Sequence, residues 1–326
     1  MRDVEKPLVC LAVALPDDAL AGLADACELR PVAADTIASH IAEAEGLLCP
    51  APFPVPAALL DLAPRLRVVS NFGVGFNNVD LAEMNRRGIA VCNTPGVLTD
   101  AVADLTVGMI VAASRGLVAN ANYVRERRWG REPVPGLGWD LRGKTLGLIG
   151  FGRIGKAVAH RARAFGMNTC FFDLFDSPGA GWDDCVYQAL DALLREADVV
   201  SVHTNLTPET FHLLGEREFA QMKPSAWVIN TSRGPVIDQA ALTNALRERR
   251  IAGAVLDVLE TEPPPADDPI LTLENAVILP HIGSATVETR AAMLDLSIRN
   301  LKAVLAGEPP PECVNPEALP RALQRR

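Results

Sequence analysis

Three residues far apart in the chain carry side chains suited to moving a proton beside a polarised oxygen: Arg233 in TSRGP, Glu262 in LETEPP and His281 in PHIGSAT. Imidazole titrates near neutrality, so a positioned histidine can act as general acid or base. A carboxylate beside it favours the protonated ring, and a guanidinium offers a fixed fork of donors to a carboxylate or carbonyl oxygen. Each alone also reads as an ordinary surface ion pair or packed side chain. Among the five histidines, His40 and His160 fall in helix-like segments, and His203 and His212 fall beside a strand end and in a helix approach. Only His281 stands between a strand end and a glycine.

A second constellation is the run KTLGLIGFGRIGKAVAHRARAFG, from Lys144 to Gly166. Gly150, Gly152 and Gly155 follow a short apolar run and open a helix-like segment. With that spacing the first glycine permits a tight turn, the second lets backbone approach a pyrophosphate, and the third lets helix and strand pack closely. The N–H groups at the start of the helix then face the phosphates. Without context, GxGxxG is also just a glycine-rich turn. Asp173 lies eighteen residues after Gly155, at the end of the next apolar run, where a carboxylate accepts ribose hydroxyl protons of NAD and repels the extra phosphate of NADP. Leu174 and Phe175 behind it supply no compensating arginine, so NAD is favoured over NADP.

The elements needed to hold these groups are legible as short apolar runs. TLGLIG ends at the glycine loop, MNTCFFD at Asp173, ADVVSVH before Thr204, AWVINTSRG at Arg233, AGAVLDV at Asp257 and NAVILPHIG at His281. In an open parallel sheet the carboxyl ends share one edge, which is where ligands bind. Upstream, LVCLAVAL, GLLC and LRVVS alternate with helix-like DDALAGLADA and PAALLDLA, which predicts a further parallel α/β layer. NFGVGFNNVD is a glycine-containing loop after LRVVS. DAVADLTVGMIVAASRGL, after the candidate N-cap Thr99, is apolar on nearly every face except at Asp100 and Asp104, and is expected to be buried between domains or subunits. The polar, proline-broken stretch RERRWGREPVPGLG from Arg125 to Gly138 is expected to be an excursion toward a partner subunit, anchored by Trp129 and Trp139 or using them for local packing. Residues Glu288 to Gly307 form one amphipathic helix closed by Gly307. The proline-rich end beyond it is expected to be loosely ordered.

Composition narrows the classes. A chain of 326 residues, 49% hydrophobic, suits two domains. A net charge of −9 and the absence of a long basic run exclude a nucleic-acid binder. No apolar run approaches the ~20 residues that cross a bilayer, and the acidic residues of MRDVEKPLVCLAVALPDD fit a first strand rather than a signal peptide. The seven cysteines are scattered and never paired as CxxC, so reduced thiols in a cytoplasmic protein are expected and no metal.

Taken together, NFGVGFNNVD, NTPGVLTDAVAD, LRGKTLGLIGFGRIG, INTSRGPVID, LDVLETEPP and PHIGSAT, in this order, closely resemble the D-isomer-specific 2-hydroxyacid dehydrogenase family, from about Leu66 to Leu305. The resemblance implies an α/β fold of two Rossmann-like domains with parallel sheets, the active site in the interdomain cleft, and a homodimer. It implies a discontinuous substrate domain, residues 1–98 plus 288–326, and a NAD-binding domain of residues 99–287. It implies that Arg233 binds substrate, that Glu262 tunes the histidine, and that His281 is the acid/base. Val74 and Gly75 match the loop whose N–H groups hold the substrate carboxylate. For NAD, with Gly150, Gly152 and Gly155, the matching positions are Arg153, Ile154, Asp173, Thr204, Thr231, Ser232, Arg233, Asp257, His281, Gly283 and Ser284. Asn77 stands where many members have aspartate, while Asp80 is retained.

SNFGVGFNNVD and PHIGSATVETR look most like the branch of glyoxylate, hydroxypyruvate, hydroxyphenylpyruvate and 2-ketogluconate reductases. Formate and phosphoglycerate dehydrogenases fit less well. The implied reaction is NADH-dependent reduction of a 2-keto acid to a D-2-hydroxy acid. The loop around Cys49 to Pro56, with Phe53, is expected to set side-chain specificity. Alternatives are an NADP-preferring hydroxyphenylpyruvate or 2-ketogluconate reductase and an NAD-sensing, corepressor-like binding protein. A methyltransferase-type Rossmann domain would leave Arg233, Glu262 and His281 unexplained.

Overall fold

Apolar runs of three to five residues become strands, and the segments between them become covering helices. The computed structural model describes residues 6–175 and 181–324. The chain divides into two units, Met1–Leu98 with Thr286–Arg326, and Thr99–Ala285.

In the first unit, β1 (Leu8–Leu11), β2 (Glu28–Pro31), β3 (Gly46–Pro50), β4 (Val68–Phe72) and β5 (Ala90–Cys92) form a parallel sheet in the order β2-β1-β3-β4-β5. Leu47, Val69 and Val91 pack on one face, and Val9, Leu48, Val68 and Ala90 on the other with Leu301 and Val304 of the helix Val287–Ala306. Such two-sided burial explains the near-continuous apolar strands. The helix ends at Gly307, whose φ of +81° closes it in the left-handed conformation.

From Glu308 to Gln324 the chain is docked, contrary to the loose end expected from its prolines. Asn315 is buried, accepts from the Val91 N–H at 2.7 Å and donates to the Ile89 carbonyl at 3.0 Å. Arg67, buried, donates to the carbonyls of Val304 (2.8 Å) and Ala322 (3.0 Å), so one guanidinium satisfies both the helix end and the tail. Long-range polar contacts of this kind leave no local sequence signature.

The second unit holds β6 (Thr145–Ile149), β7 (Asn168–Phe172), β8 (Gly181–Trp182), β9 (Cys185–Tyr187), β10 (Val199–Val202), β11 (Trp227–Asn230), β12 (Gly253–Leu256) and β13 (Ala276–Ile278), ordered β13-β12-β11-β10-β6-β7-β9-β8. All six strands read from the apolar runs of this region are present and parallel. The short β8–β9 hairpin at one edge was not anticipated, and β8 is antiparallel. Between β6 and β10 the chain order reverses, and such a switch point opens a crevice at the carboxyl ends. The helix Arg153–Ala164 buries Gly155, Val158, Ala159 and Ala162, an i, i+3, i+4, i+7 stripe. Beside it lies the helix Thr99–Arg115, whose two acids are joined by one cation: Arg161 donates to Asp100 at 2.7 Å and Asp104 at 2.6 Å. Trp139 packs against this unit's core, while Trp129 is exposed. Among the described residues no single helix is long and apolar enough to cross a bilayer.

Candidate active site

Strand order sorts the site residues into two groups along one sheet edge. The glycine loop, Asp173 and Thr204 follow β6, β7 and β10, whereas Arg233, Glu262 and His281 follow the adjacent β11, β12 and β13.

Each loop glycine has its own reason. Gly150 has φ +93°, and a Cβ there would lie 2.6 Å from the Thr204 nitrogen. A Cβ on Gly155 would lie 2.3 Å from the Gly150 carbonyl, so this glycine seats the helix on the loop. A Cβ on Gly152 would meet nothing within 4 Å among the described residues, which leaves room for a bound group. The helix start carries no side-chain cap, which leaves the N–H groups of Arg153 and Ile154 for an anion. Asp173 accepts from the Phe151 N–H at 2.7 Å and the Phe175 N–H at 3.0 Å, which fixes its carboxylate beside the same loop. These residues fit a dinucleotide.

At the other group, His281 Nδ1 lies 2.7 Å from Glu262 Oε2. Its side chain is 39% exposed, and Nε2 has no hydrogen-bond partner among the described residues. Glu262 Oε1 accepts from the Leu259 N–H at 3.1 Å. Burial pushes the Glu262 carboxyl up, but the His281 hydrogen bond and charge, the Leu259 N–H and the Arg233 cation together hold it below the usual range. Arg233 Nη1 donates to the Ser232 carbonyl at 2.6 Å. Burial lowers the Arg233 pKa and the Glu262 charge opposes that; a guanidinium stays charged regardless.

His281 is held at φ +55°, an uncommon conformation for a residue with a Cβ. Asp257 imposes it. The Asp257 carbonyl accepts from the His281 N–H at 2.9 Å, and its carboxylate accepts from the N–H groups of Ile282 and Gly283 at 2.7 Å each. Burial raises the Asp257 pKa against the pull of those two N–H groups. The structure thus gives Asp257, expected among the NAD positions, a shaping task on the His281 loop.

Other positioning residues were missed from sequence. Asn230 ends β11 and accepts from the Ser232 N–H (2.9 Å) and hydroxyl (3.0 Å) while donating to the Arg233 carbonyl (3.1 Å), which folds the turn that aims Arg233. A Cβ on Gly234 would lie 1.9 Å from the Leu259 carbonyl carbon, so the Arg233 turn rests directly on the Glu262 loop. Gln239 and Glu260 bind each other's N–H groups, both at 3.0 Å, and His212 Nε2 is 2.7 Å from Glu260. A buried asparagine after an apolar run was the one visible signal. His203, by contrast, is structural: Nε2 is 2.8 Å from the Ser201 hydroxyl, and burial pushes its pKa down to about 3. Of the remaining expected positions, Thr231 pairs with the Thr106 hydroxyl at 3.0 Å. Thr204 and Ser284 make no side-chain hydrogen bond among the described residues, and Arg153 is exposed.

Val74 and Gly75 lie in the first unit, in the loop after β4. The carbonyls of Gly73, Val74 and Gly75 are taken by the Thr94 N–H (2.9 Å), Asn93 Nδ2 (2.7 Å) and Asn71 Nδ2 (3.2 Å). The N–H groups of Val74 and Gly75 have no partner among the described residues. With carbonyls drawn inward, such a loop presents donors to an anion. Asp80 caps the following helix by accepting from the Glu83 N–H at 3.1 Å. Phe53, in the loop around Cys49 to Pro56, is 8% exposed and packs in the first unit's core with Val55.

Comparison with known proteins agrees with this geometry. The NAD-binding domain of D-isomer specific 2-hydroxyacid dehydrogenases matches residues 107–283. A glyoxylate reductase of Thermofilum pendens is 41% identical, covering 96% of both chains. One from Thermococcus litoralis is 46% identical over 81% of this chain and 82% of its own. The crystal structure of an NADPH-dependent glyoxylate/hydroxypyruvate reductase from Sinorhizobium meliloti, in complex with NADP and malonate, superposes with a TM-score of 0.87 at 34% identity, covering 96% of this chain and 98% of that one. With an imidazole–carboxylate pair and a cation on neighbouring strand ends beside a dinucleotide loop, the chain belongs to the D-isomer specific 2-hydroxyacid dehydrogenase family of oxidoreductases.

Proposed function

We propose that the protein reduces a small 2-keto acid of the glyoxylate or hydroxypyruvate kind to the D-2-hydroxy acid, with NADH preferred over NADPH. The observation that carries the chemistry is the 2.7 Å contact between His281 Nδ1 and Glu262. It leaves Nε2 as the ring atom able to give a proton to the substrate oxygen. Arg233 polarises the keto oxygen and holds the substrate against rotation. The N–H groups of Val74 and Gly75 take the carboxylate. Gly150, Gly152, Gly155, Arg153, Ile154, Asp173, Thr204, Thr231, Ser232 and Ser284 are assigned to the dinucleotide, and Asp257 with Gly283 shapes the loop beside it. The nicotinamide, when bound, supplies the hydride. Holding reactants in this way contributes up to roughly 7–11 kcal/mol.

The cofactor preference rests on Asp173, a carboxylate where a 2′-phosphate would sit and be repelled. Initial rates over a panel of 2-keto acids, each with NADH and with NADPH, test both parts. Turnover of glyoxylate or hydroxypyruvate with NADH at least tenfold faster is expected, and Asp173→Ala is expected to erase the preference. Faster use of NADPH by the unsubstituted protein would refute the reading of Asp173. Absence of any turnover would favour a binding protein of the corepressor kind.

A second copy of this chain is the proposed partner. Leu137, fully exposed, and Val134 and Trp129 in the 125–138 excursion, with Leu117, Val118 and Val124 on the helix before it, leave apolar surface that a dimer would cover. Sedimentation equilibrium is expected to give twice the chain mass, and Leu137→Glu with Val134→Glu to shift the protein toward monomer. The free cysteines support placement in the cytoplasm.

A further inference from the structure

Six of the seven cysteines, Cys10, Cys27, Cys49, Cys92, Cys170 and Cys185, are buried. Burial pushes the Cys49 and Cys170 thiols up to about 12, where little thiolate forms. Cys92 and Cys313 differ because they meet. Cys92 ends β5 and is wholly buried, whereas Cys313 is partly exposed in the docked tail. The tail runs beside β5: the Val314 N–H donates to the Val91 carbonyl at 2.8 Å, and the Val91 N–H donates to Asn315 Oδ1 at 2.7 Å. This alignment brings both sulfurs into one apolar cluster with Val9, Ala90 and Leu301, where Cys92 and Cys313 share a side-chain hydrogen bond.

The Cys313 sulfur also faces the N–H groups of Asn315 and Val91. The bond to Cys313, together with burial, raises the Cys92 thiol, while the same bond holds Cys313 below its usual range although burial opposes it. A partly exposed sulfur near two N–H groups, its thiol 3.6 Å from the Asn315 Oδ1 acceptor, touching a second thiol that is sealed away, is the arrangement of an attacking and a resolving cysteine.

We propose that Cys313 and Cys92 are a modification site at which a hydroperoxide closes a disulfide between the C-terminal tail and β5. The Cys313 thiolate attacks the outer peroxide oxygen, breaking the O–O bond. This gives Cys313 sulfenic acid and, after protonation, an alcohol, or water when the oxidant is hydrogen peroxide. The Cys92 sulfur then attacks the sulfenic sulfur and expels hydroxide, which takes the Cys92 proton and leaves as water. Two thiols are oxidised by two electrons and one peroxide is reduced. A thiol reductant reverses the change by exchange. The bond would fasten a tail now held through Asn315 and Arg67.

The full-length protein is treated with one equivalent of hydrogen peroxide, remaining thiols are alkylated under denaturing conditions, and peptides are mapped without reduction. The expected result is a linked peptide pair containing Cys92 and Cys313, lighter by two hydrogen atoms than the separate peptides and released by dithiothreitol. In Cys313→Ser, a half-buried and nearly isosteric change, the linked species is expected to be lost and Cys92 to remain fully alkylated. The proposal is overturned if Cys92 stays alkylated in the treated wild type, if Cys313 goes only to sulfinic acid, or if the link joins other cysteines. None of these outcomes depends on the keto-acid activity.

Discussion

Replacing His281 with alanine is expected to lower kcat for keto-acid reduction by about two to four powers of ten, the contribution of a positioned general acid. The fold should survive, because His281 is anchored through its backbone to Asp257 while its ring is part-exposed and, among the described residues, bonded to Glu262 alone. Thermal unfolding of the variant would confirm that. NADH binding, measured by fluorescence quenching, should change little. Turnover within a few-fold of wild type would sink the assignment. Glu262→Gln sharpens the test through pH. The carboxylate is held below its usual range in the folded protein, so it is ionised at neutral pH and loses its charge only well into acid. An amide carries no charge at any pH. The wild-type rate should therefore fall in acid as Glu262 protonates, whereas Glu262→Gln should have a lower kcat at neutral pH and lack that acid-side fall. A uniform loss at every pH would mean that Glu262 acts by shape alone.

The second large effect is expected at Arg233. Alanine there removes the cation and the fork of donors at once, and kcat/KM should fall by roughly 10²–10³, as when a donor to a developing oxyanion is lost. Lysine keeps the charge but loses the planar fork, so Arg233→Lys should recover part of the rate yet leave KM raised. The Asn230 clamp on residues 232 and 233 bonds their backbone and the Ser232 hydroxyl, so the turn should survive either change. Hydride transfer in Arg233→Ala within a few-fold of wild type, by single-turnover absorbance, would show that another group orients the substrate.

The glycine loop was legible because its demands are steric and local. Gly150 needs a positive φ, and Gly155 has the Gly150 carbonyl where a Cβ would be; no other residue satisfies both a turn and a close helix approach. The six strands of the second unit were legible because parallel strands covered on both faces must be apolar runs, and their carboxyl ends then fall on one edge whatever the strand order. That reasoning found Arg233, Glu262 and His281 without knowing which strands were neighbours. The β8–β9 hairpin escaped because strands of two and three residues leave too little pattern.

The residue types of the site, its attachment to strand ends and the identity of the dinucleotide loop were set by the sequence alone, since each follows from local backbone sterics or side-chain chemistry. Tertiary structure decided the rest. It made β11, β12 and β13 adjacent, so that a carboxylate from one loop meets an imidazole from another at 2.7 Å. It turned Asp257 inward to hold the His281 loop, drew Phe53 into the core, and docked the proline-rich tail through Asn315 and Arg67. Each of these is a contact between residues distant in the chain, whose energy exists only once both partners are buried together. No window of sequence contains both.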